Sequence, residues 1–214
     1  MLELRSYTKA ELSALFGTKS KQGLTRKLDG YGITYNEEGR GENLTFEITA
    51  IAEPFKIFCI TELGFSAQTN FKKLRNFYYY YFNDEVFMAM PDEVKETMLA
   101  NEDKGISRQT IANYTSKLVA NDLIDRNTKN FIYYFAYQKK QRLAEHAEYS
   151  RAWKEYWDAQ HEGVDYYTAI DDMIANYGGV ARKQPIPEIN GVYNKKIEYM
   201  LNLIQESIEN ERKQ

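Results

Sequence analysis

Cysteine and histidine are scarce in this chain of 214 residues. The single cysteine, Cys59, rules out an intrachain disulfide, and it lies in an apolar run where we expect a core residue. Only His146 and His161 accompany it, which is too few ligands for a zinc site. We therefore expect no metal and no cofactor.

Long hydrophobic runs and catalytic signatures are also missing. The sequence has no run of about 18 apolar residues, the length needed to span a bilayer, and its first residues lack the apolar segment of a secretory signal. We expect a cytoplasmic protein with no membrane partner. Glycine-rich phosphate loops and nucleophile motifs are absent as well, and the adjacent Asp171 and Asp172 point in different directions on a helix. The sequence thus predicts that the protein is not an enzyme.

Charge is distributed unevenly along the chain. The formal net charge is −3, which taken alone argues mildly against a nucleic-acid partner. However, residues 5–27 hold six Lys or Arg and one acidic residue, and residues 101–142 hold eight against four. Residues 143–214 hold eight against thirteen. The two basic stretches are where we expect an anionic partner to bind.

Residues 106–137 have the pattern of a helix with one buried and one polar face, followed by two short strands. Ser107 is a suitable N-cap, and apolar residues recur at helical spacing after it. The opposite face carries amide, hydroxyl and cationic groups of the kinds that bind base edges and phosphates: Arg108, Gln109, Asn113, Ser116 and Lys117. Leu123-Ile124 and Phe131–Phe135 are strand-like and flank turn residues, so the pattern predicts a hairpin.

One stretch and the strands after it resemble the winged helix-turn-helix superfamily of DNA-binding domains. The stretch reads MPDEVKETMLANEDKGISRQTIANYTSKLVANDLI. The resemblance covers roughly residues 66–137. It implies that a first helix supports a second helix, Arg108 to Asn121, which enters the major groove. It also implies that Arg126 and Lys129 contact phosphate from the wing. Some members of the superfamily bind protein or RNA, so the resemblance favours DNA without excluding those partners.

A second unit of the same plan is predicted at the N-terminus. Thr8 and Glu11 have the spacing of a capping box, and a second helix spans residues 19–28 with Gly23 in its interior. Two alternating strands follow, with Arg40 at the tip of the loop between them. The arrangement resembles excisionase-like domains. The residues expected to contact DNA here are Lys21, Gln22, Thr25, Arg26 and Arg40.

The remaining segments are predicted from periodicity. An aromatic helix runs from residue 66 to 83 and is more typical of core than of a base-stacking surface, and residues 85–90 favour a strand. A helix from Lys139 to Asp158 is predicted to carry Trp153 and Trp157. A further helix is predicted at residues 166–177, and residues 180–192 are predicted to be a linker or an extended arm. The last helix, residues 193–211, has an apolar stripe that either folds back on the tryptophan helix or pairs with a second copy, and we favour the homodimer.

These patterns predict a mainly α protein with small β-hairpin wings, of the α+β class. The expected regions are a compact winged unit at residues 1–52, a central winged helix at residues 53–138, and a C-terminal helical region at residues 139–214. The expected function is binding of double-stranded DNA, as a transcriptional regulator or replication-initiation factor of a phage, plasmid or integrative element. The alternative is a protein-protein interaction module that uses winged-helix scaffolds and aromatic surfaces.

Overall fold

The computed structural model of the protein describes residues 2–100, 105–126, 128–138 and 140–212. The chain divides into two units: residues 1–79 together with 192–214, and residues 80–191. Helices and small antiparallel sheets are present in both. The predicted α+β class is therefore confirmed, whereas the three-region division stays a prediction.

The first unit begins with a three-stranded sheet covered by two helices. Its elements are β1 (Ser6–Thr8), α1 (Lys9–Phe16), α2 (Lys21–Gly30), β2 (Ile33–Glu38) and β3 (Thr45–Ile51). The strands are antiparallel in the order β1-β3-β2, and a single 3-10 turn, Gly41–Asn43, lies between β2 and β3. Leu12, Leu24, Leu28 and Phe46 are fully buried between the helices and the sheet. The capping box at Thr8 and Glu11 is present, as predicted.

Three further helices complete the first unit: α3 (Pro54–Leu63), α4 (Phe71–Asn83), whose last residues belong to the second unit, and α10 (Asn194–Arg212). The aromatic stripe of α4 is core, as predicted, since Leu74, Phe77 and Tyr78 are fully buried. The apolar stripe of α10 packs against α3 of the same chain. It is therefore not left uncovered for a second copy, and the reason for expecting a homodimer through it is lost.

Arg75 of α4 and Cys59 of α3 are buried in the first unit. The Arg75 guanidinium donates to Ser207 Oγ at 2.9 Å and to Glu211 Oε2 at 2.8 Å, which links α4 to α10. Cys59 is a core residue, as expected, and burial raises the pKa of its thiol well above the usual range.

The second unit joins a helix pair to a second three-stranded sheet. Its remaining elements are α5 (Glu85–Ala89), α6 (Asp92–Leu99), α7 (Arg108–Ala120), β4 (Ile124–Asp125), β5 (Phe131–Tyr137), β6 (Lys140–Ala144), α8 (His146–His161), α9 (Tyr166–Tyr177), β7 (Val180–Pro185) and β8 (Glu188–Ile189). The three-stranded sheet is antiparallel in the order β6-β5-β7, and β4 pairs with β8. Helices α8 and α9 pack on one face of the larger sheet, around Phe135, Tyr156 and Met173.

Three predictions for the second unit are wrong. Residues 85–89 form a helix rather than a strand, because Asp84 caps it by accepting the Phe87 N–H at 3.0 Å. Residues 140–144 form a strand rather than helix, because they pair with β5. Residues 180–185, predicted as part of a linker or extended arm, are extended and pair with β5 as well. The predicted β4–β5 hairpin does not form, since β4 pairs with β8 and the Asn130 carbonyl accepts from the Ile186 N–H.

Along the described part of the chain, every helix is too short or too polar to cross a bilayer.

Candidate nucleic-acid interface

Helix α7 is fixed by its N-cap and by its buried face. Ser107 Oγ accepts the Thr110 N–H at 3.3 Å, and Ile111, Tyr114 and Leu118 are buried as predicted. Thr115 is buried as well, and its hydroxyl donates to the Ile111 carbonyl at 3.0 Å, which satisfies it inside the helix. Helix α6 packs against α7. The orientation of α7 about its own axis is therefore set by apolar contacts.

The polar face of α7 points to solvent. Arg108, Gln109, Asn113 and Ser116 are exposed, and Lys117 is half-buried. The Ser116 hydroxyl donates to the Ala112 carbonyl at 2.7 Å and keeps its lone pairs as acceptors. No acidic residue occurs between positions 104 and 121. This face therefore presents amide and cationic groups with no carboxylate from its own helix, an arrangement suited to a polyanion.

Arg108, the first residue of α7, forms an ion pair with Glu93 of α6. Both side chains are more than half exposed, at 63% and 53%. An exposed pair of this kind is worth about 0–1 kcal/mol, because water screens it. A phosphate or a base edge can therefore replace Glu93 as the partner of Arg108 at little cost.

A small cavity with charged residues of both signs in its lining includes Arg108, the first residue of α7. It has a volume of about 250 Å³, and Lys95, Arg108 and Arg126 line it together with Asp92 and Glu93. Lys95 is buried, its Nζ donates to the Met90 carbonyl at 2.7 Å, and burial lowers its pKa to about 8. Lys95 was missed by the sequence analysis, because nothing in the periodicity of α6 distinguishes it from a surface lysine.

The predicted wing residues are exposed but do not lie on a hairpin. Arg126 and Lys129 lie between β4, which pairs with β8, and β5, and the Asn130 carbonyl that follows Lys129 accepts the Ile186 N–H. In the described part of the second unit, β5 and β6 form a hairpin. Exposed cations on the sheet, Lys140 of β6 and Arg182 of β7, were not among the predicted site residues. The Lys139-Lys140 pair in the sequence was the available signal for Lys140.

The N-terminal unit presents α2 in a similar way. Lys21, Gln22 and Arg26 are exposed, whereas Thr25 is half-buried and its hydroxyl donates to the Gln22 carbonyl at 3.2 Å. Gly23 fits its place in the helix because an added Cβ would lie 2.6 Å from Thr18 Oγ1 and 2.8 Å from the capping Ser20 Oγ. The glycine therefore allows the preceding turn to close on α2.

Carboxylates lie close to this second surface. Lys21 forms an ion pair with Glu37 of β2. Arg40 is exposed at the turn after β2, two residues beyond Glu38. These acids make the β2–β3 hairpin a poorer phosphate contact than α2 itself. Within the described residues, no group of three or more His, Cys, Asp or Glu converges as metal ligands would.

Comparison of the chain with models of protein families, with curated proteins and with solved structures found no significant match.

Proposed function

We propose that this protein binds double-stranded DNA and that α7 is the helix that enters the major groove. The observation that carries the proposal is the exposed face of Arg108, Gln109, Asn113 and Ser116, backed by a helix that packs on the opposite side. Arginine binds guanine in a bidentate manner, and the amides of glutamine and asparagine bind adenine in the same way. The face therefore carries the groups that distinguish base pairs.

The remaining cations have a positioning role in this proposal. Lys117, Arg126 and Lys129 contact phosphates, as do Lys21 and Arg26 of α2, with Gln22 and Thr25 beside them. Phosphate contacts set the register and add affinity without sequence preference. The protein then acts in the cytoplasm as a transcriptional regulator or a replication-initiation factor of a phage, plasmid or integrative element, which is the setting that the winged-helix resemblance suggests.

Selection of bound sequences from a random duplex pool tests base recognition. The wild-type protein is expected to enrich a motif, and Arg108→Ala or Gln109→Ala relaxes the preference at one position, at about 1–3 kcal/mol per lost base contact. Lys129→Ala weakens all duplexes alike. Glu93→Gln frees the Arg108 guanidinium and raises affinity.

The matched control is Lys154→Ala, which removes an exposed lysine from α8 and should leave binding unchanged. The amount of wild-type protein retained on immobilised duplex DNA of random sequence should also fall steeply as the salt concentration increases. If the wild-type protein shows no retention at about 50 mM salt, DNA binding is excluded. If retention survives but Arg108→Ala and Gln109→Ala leave the selected motif intact, α7 is not the recognition helix.

A further inference from the structure

The hairpin of α8 and α9 carries a contiguous group of exposed aromatic side chains. Trp157, Tyr166 and Tyr167 are 54%, 56% and 78% exposed, and we call them the aromatic face. Buried Tyr156 joins them, with its ring centroid 5.0 Å from Trp157 and 6.2 Å from Tyr166. Tyr166 in turn lies 5.4 Å from Tyr167. Large exposed aromatic groups of this kind mark interaction surfaces more often than isolated apolar residues do.

The aromatic face lies outside the core that holds the hairpin together and contacts that core through Tyr156. The core of this region consists of Phe135, Ala152, Tyr156, Ala169, Met173 and Ala181. The residues of the aromatic face are not among these buried groups. Truncating one of them should therefore remove a surface without opening a cavity.

The turn that presents the face is held by local hydrogen bonds. Asp165 accepts the N–H groups of Tyr167 and Thr168 at 3.0 and 3.2 Å, and the Thr168 hydroxyl as well. Gln160 Nε2 donates to the Val164 carbonyl at 2.9 Å. A surface fixed in this way loses little conformational entropy on binding, which favours affinity.

The charge around the face selects the kind of partner. The two helices that carry the face are acidic in sequence: residues 145–172 contain two Lys or Arg, Arg151 and Lys154, and these acidic residues: Glu145, Glu148, Glu155, Asp158, Glu162, Asp165, Asp171 and Asp172. Of these, Glu148 is paired with Arg142 of β6. Such an excess of carboxylate repels phosphate, so duplex DNA and anionic lipid are poor partners here. The faces of Trp and Tyr rings attract lysine and arginine side chains. Both features complement a cationic partner.

We propose that the aromatic face binds a lysine- or arginine-rich segment of a partner protein. Trp157 and Tyr167 stack on the cationic side chains, and Asp158 and Glu162 form ion pairs at the rim. The proposal is independent of DNA binding, since the residues involved are distinct from those of α7 and α2.

Calorimetric titration of the full-length protein with a synthetic peptide of alternating arginine and glycine tests this proposal. The wild type should bind this peptide and not a peptide of the same length with glutamate in place of arginine. Trp157→Ala and Tyr167→Ala should each lower the affinity by about tenfold, which corresponds to about 1.4 kcal/mol. The double variant Asp158→Asn with Glu162→Gln should weaken binding and flatten its salt dependence.

The control is Tyr137→Ala, which removes a 45% exposed aromatic residue from β5 of the same unit and should bind like the wild type. Circular dichroism and thermal melting check that each variant stays folded. Failure of the wild type to bind the basic peptide overturns the proposal, as does equal binding by Trp157→Ala or a preference for the acidic peptide. Self-association that is lost in Trp157→Ala, without peptide binding, assigns the face to a second copy of the chain and also overturns it.

Discussion

Lys95 is a buried charge in the second unit. Its Nζ donates a hydrogen bond to the Met90 carbonyl. The same atom lies 3.8 Å from Asp92 Oδ1 and 5.3 Å from the centroid of the Tyr81 ring. Burial is the main cause of its lowered pKa, the nearby Arg126 lowers it further, and Asp92 opposes the shift. The folded protein therefore disfavours the charged form of this side chain.

The stability of the protein should depend on pH through Lys95. Between its folded pKa of about 8 and its ordinary value of 10.5, the unfolded chain holds a proton that the folded chain has released. The contribution of Lys95 to the free energy of unfolding therefore rises with pH across this window. Denaturant unfolding at several pH values between about 8 and 10 should show this rise in the wild type.

Lys95→Met should remove that part of the pH dependence, because the substitution deletes the titrating group. The control is Lys154→Met, which removes an exposed lysine of α8. In this variant the free energy of unfolding should change with pH as it does in the wild type. An unchanged pH dependence in Lys95→Met would show that the charge on Lys95 is not disfavoured in the folded state.

At the scale of elements, the helices with clear caps could be predicted from the sequence. Ser107, the Thr8–Glu11 pair and the glycine after Tyr177 mark helix ends that the structure confirms. The signal is local, since each cap joins residues within one turn. The polar face of α7 followed from the same periodicity, whereas its role in DNA binding stays a prediction.

The strands of the second unit could not be predicted in the same way. β5 pairs with β7, about 50 residues further along the chain, and no local pattern in the segment VARKQP indicates its partner. β6, KQRLA, has helix-forming residues that pairing overrides. The missed pairing is also why Arg126 and Lys129 were assigned to a hairpin that does not form.

Gly179 provides a test of how closely β7 and β5 approach. An added Cβ at this position would lie 2.7–2.9 Å from the backbone atoms of Ala136 in β5. Gly179→Ala should therefore destabilise the second unit by about 1–3 kcal/mol, because the backbone of the sheet must shift. Thermal unfolding followed by tryptophan fluorescence measures the change, since Trp153 and Trp157 both lie in this unit.

Gly191→Ala is the matched control in the same unit, because an added Cβ there meets no described atom within 4 Å. Its melting temperature should stay close to that of the wild type. A Gly179→Ala protein that melts like this control would mean that the contact between β7 and β5 is looser than the structure indicates.

At the scale of the whole molecule, the net charge is the sum of basic and acidic segments of the sequence. The negative total of −3 comes largely from residues 143–214, which include the acidic residues around the aromatic face, while residues 5–27 and 101–142 are basic. Long-range attraction depends on how charge is distributed as well as on its sum. A weakly acidic isoelectric point is therefore compatible with the DNA binding proposed for α7 and α2.

The salt dependence of DNA binding should reveal how many cations contact phosphate. Each contact contributes about 0.9 to the slope of log affinity against log salt. If α2 contacts phosphate as proposed, replacing Lys21 and Arg26 together by alanine should lower the slope by about two. Gel-shift titrations of random duplex at several salt concentrations provide the measurement.

The comparison variant for this titration is Lys154→Ala combined with Arg151→Ala, which removes two exposed cations from α8 and should leave the slope unchanged. The α2 variant could instead keep the wild-type slope of log affinity against log salt while Lys129→Ala lowers it. That result would show that the second unit contacts the duplex and α2 does not.

The burial of Cys59 controls when its thiol can react. Its thiol is inaccessible in α3 and its raised pKa keeps it protonated, so an alkylating reagent can modify it only after the first unit has opened. Because the chain has no other cysteine, the rate of alkylation measures that opening alone. The native sequence thus carries its own reporter of local unfolding, with no need for an introduced label.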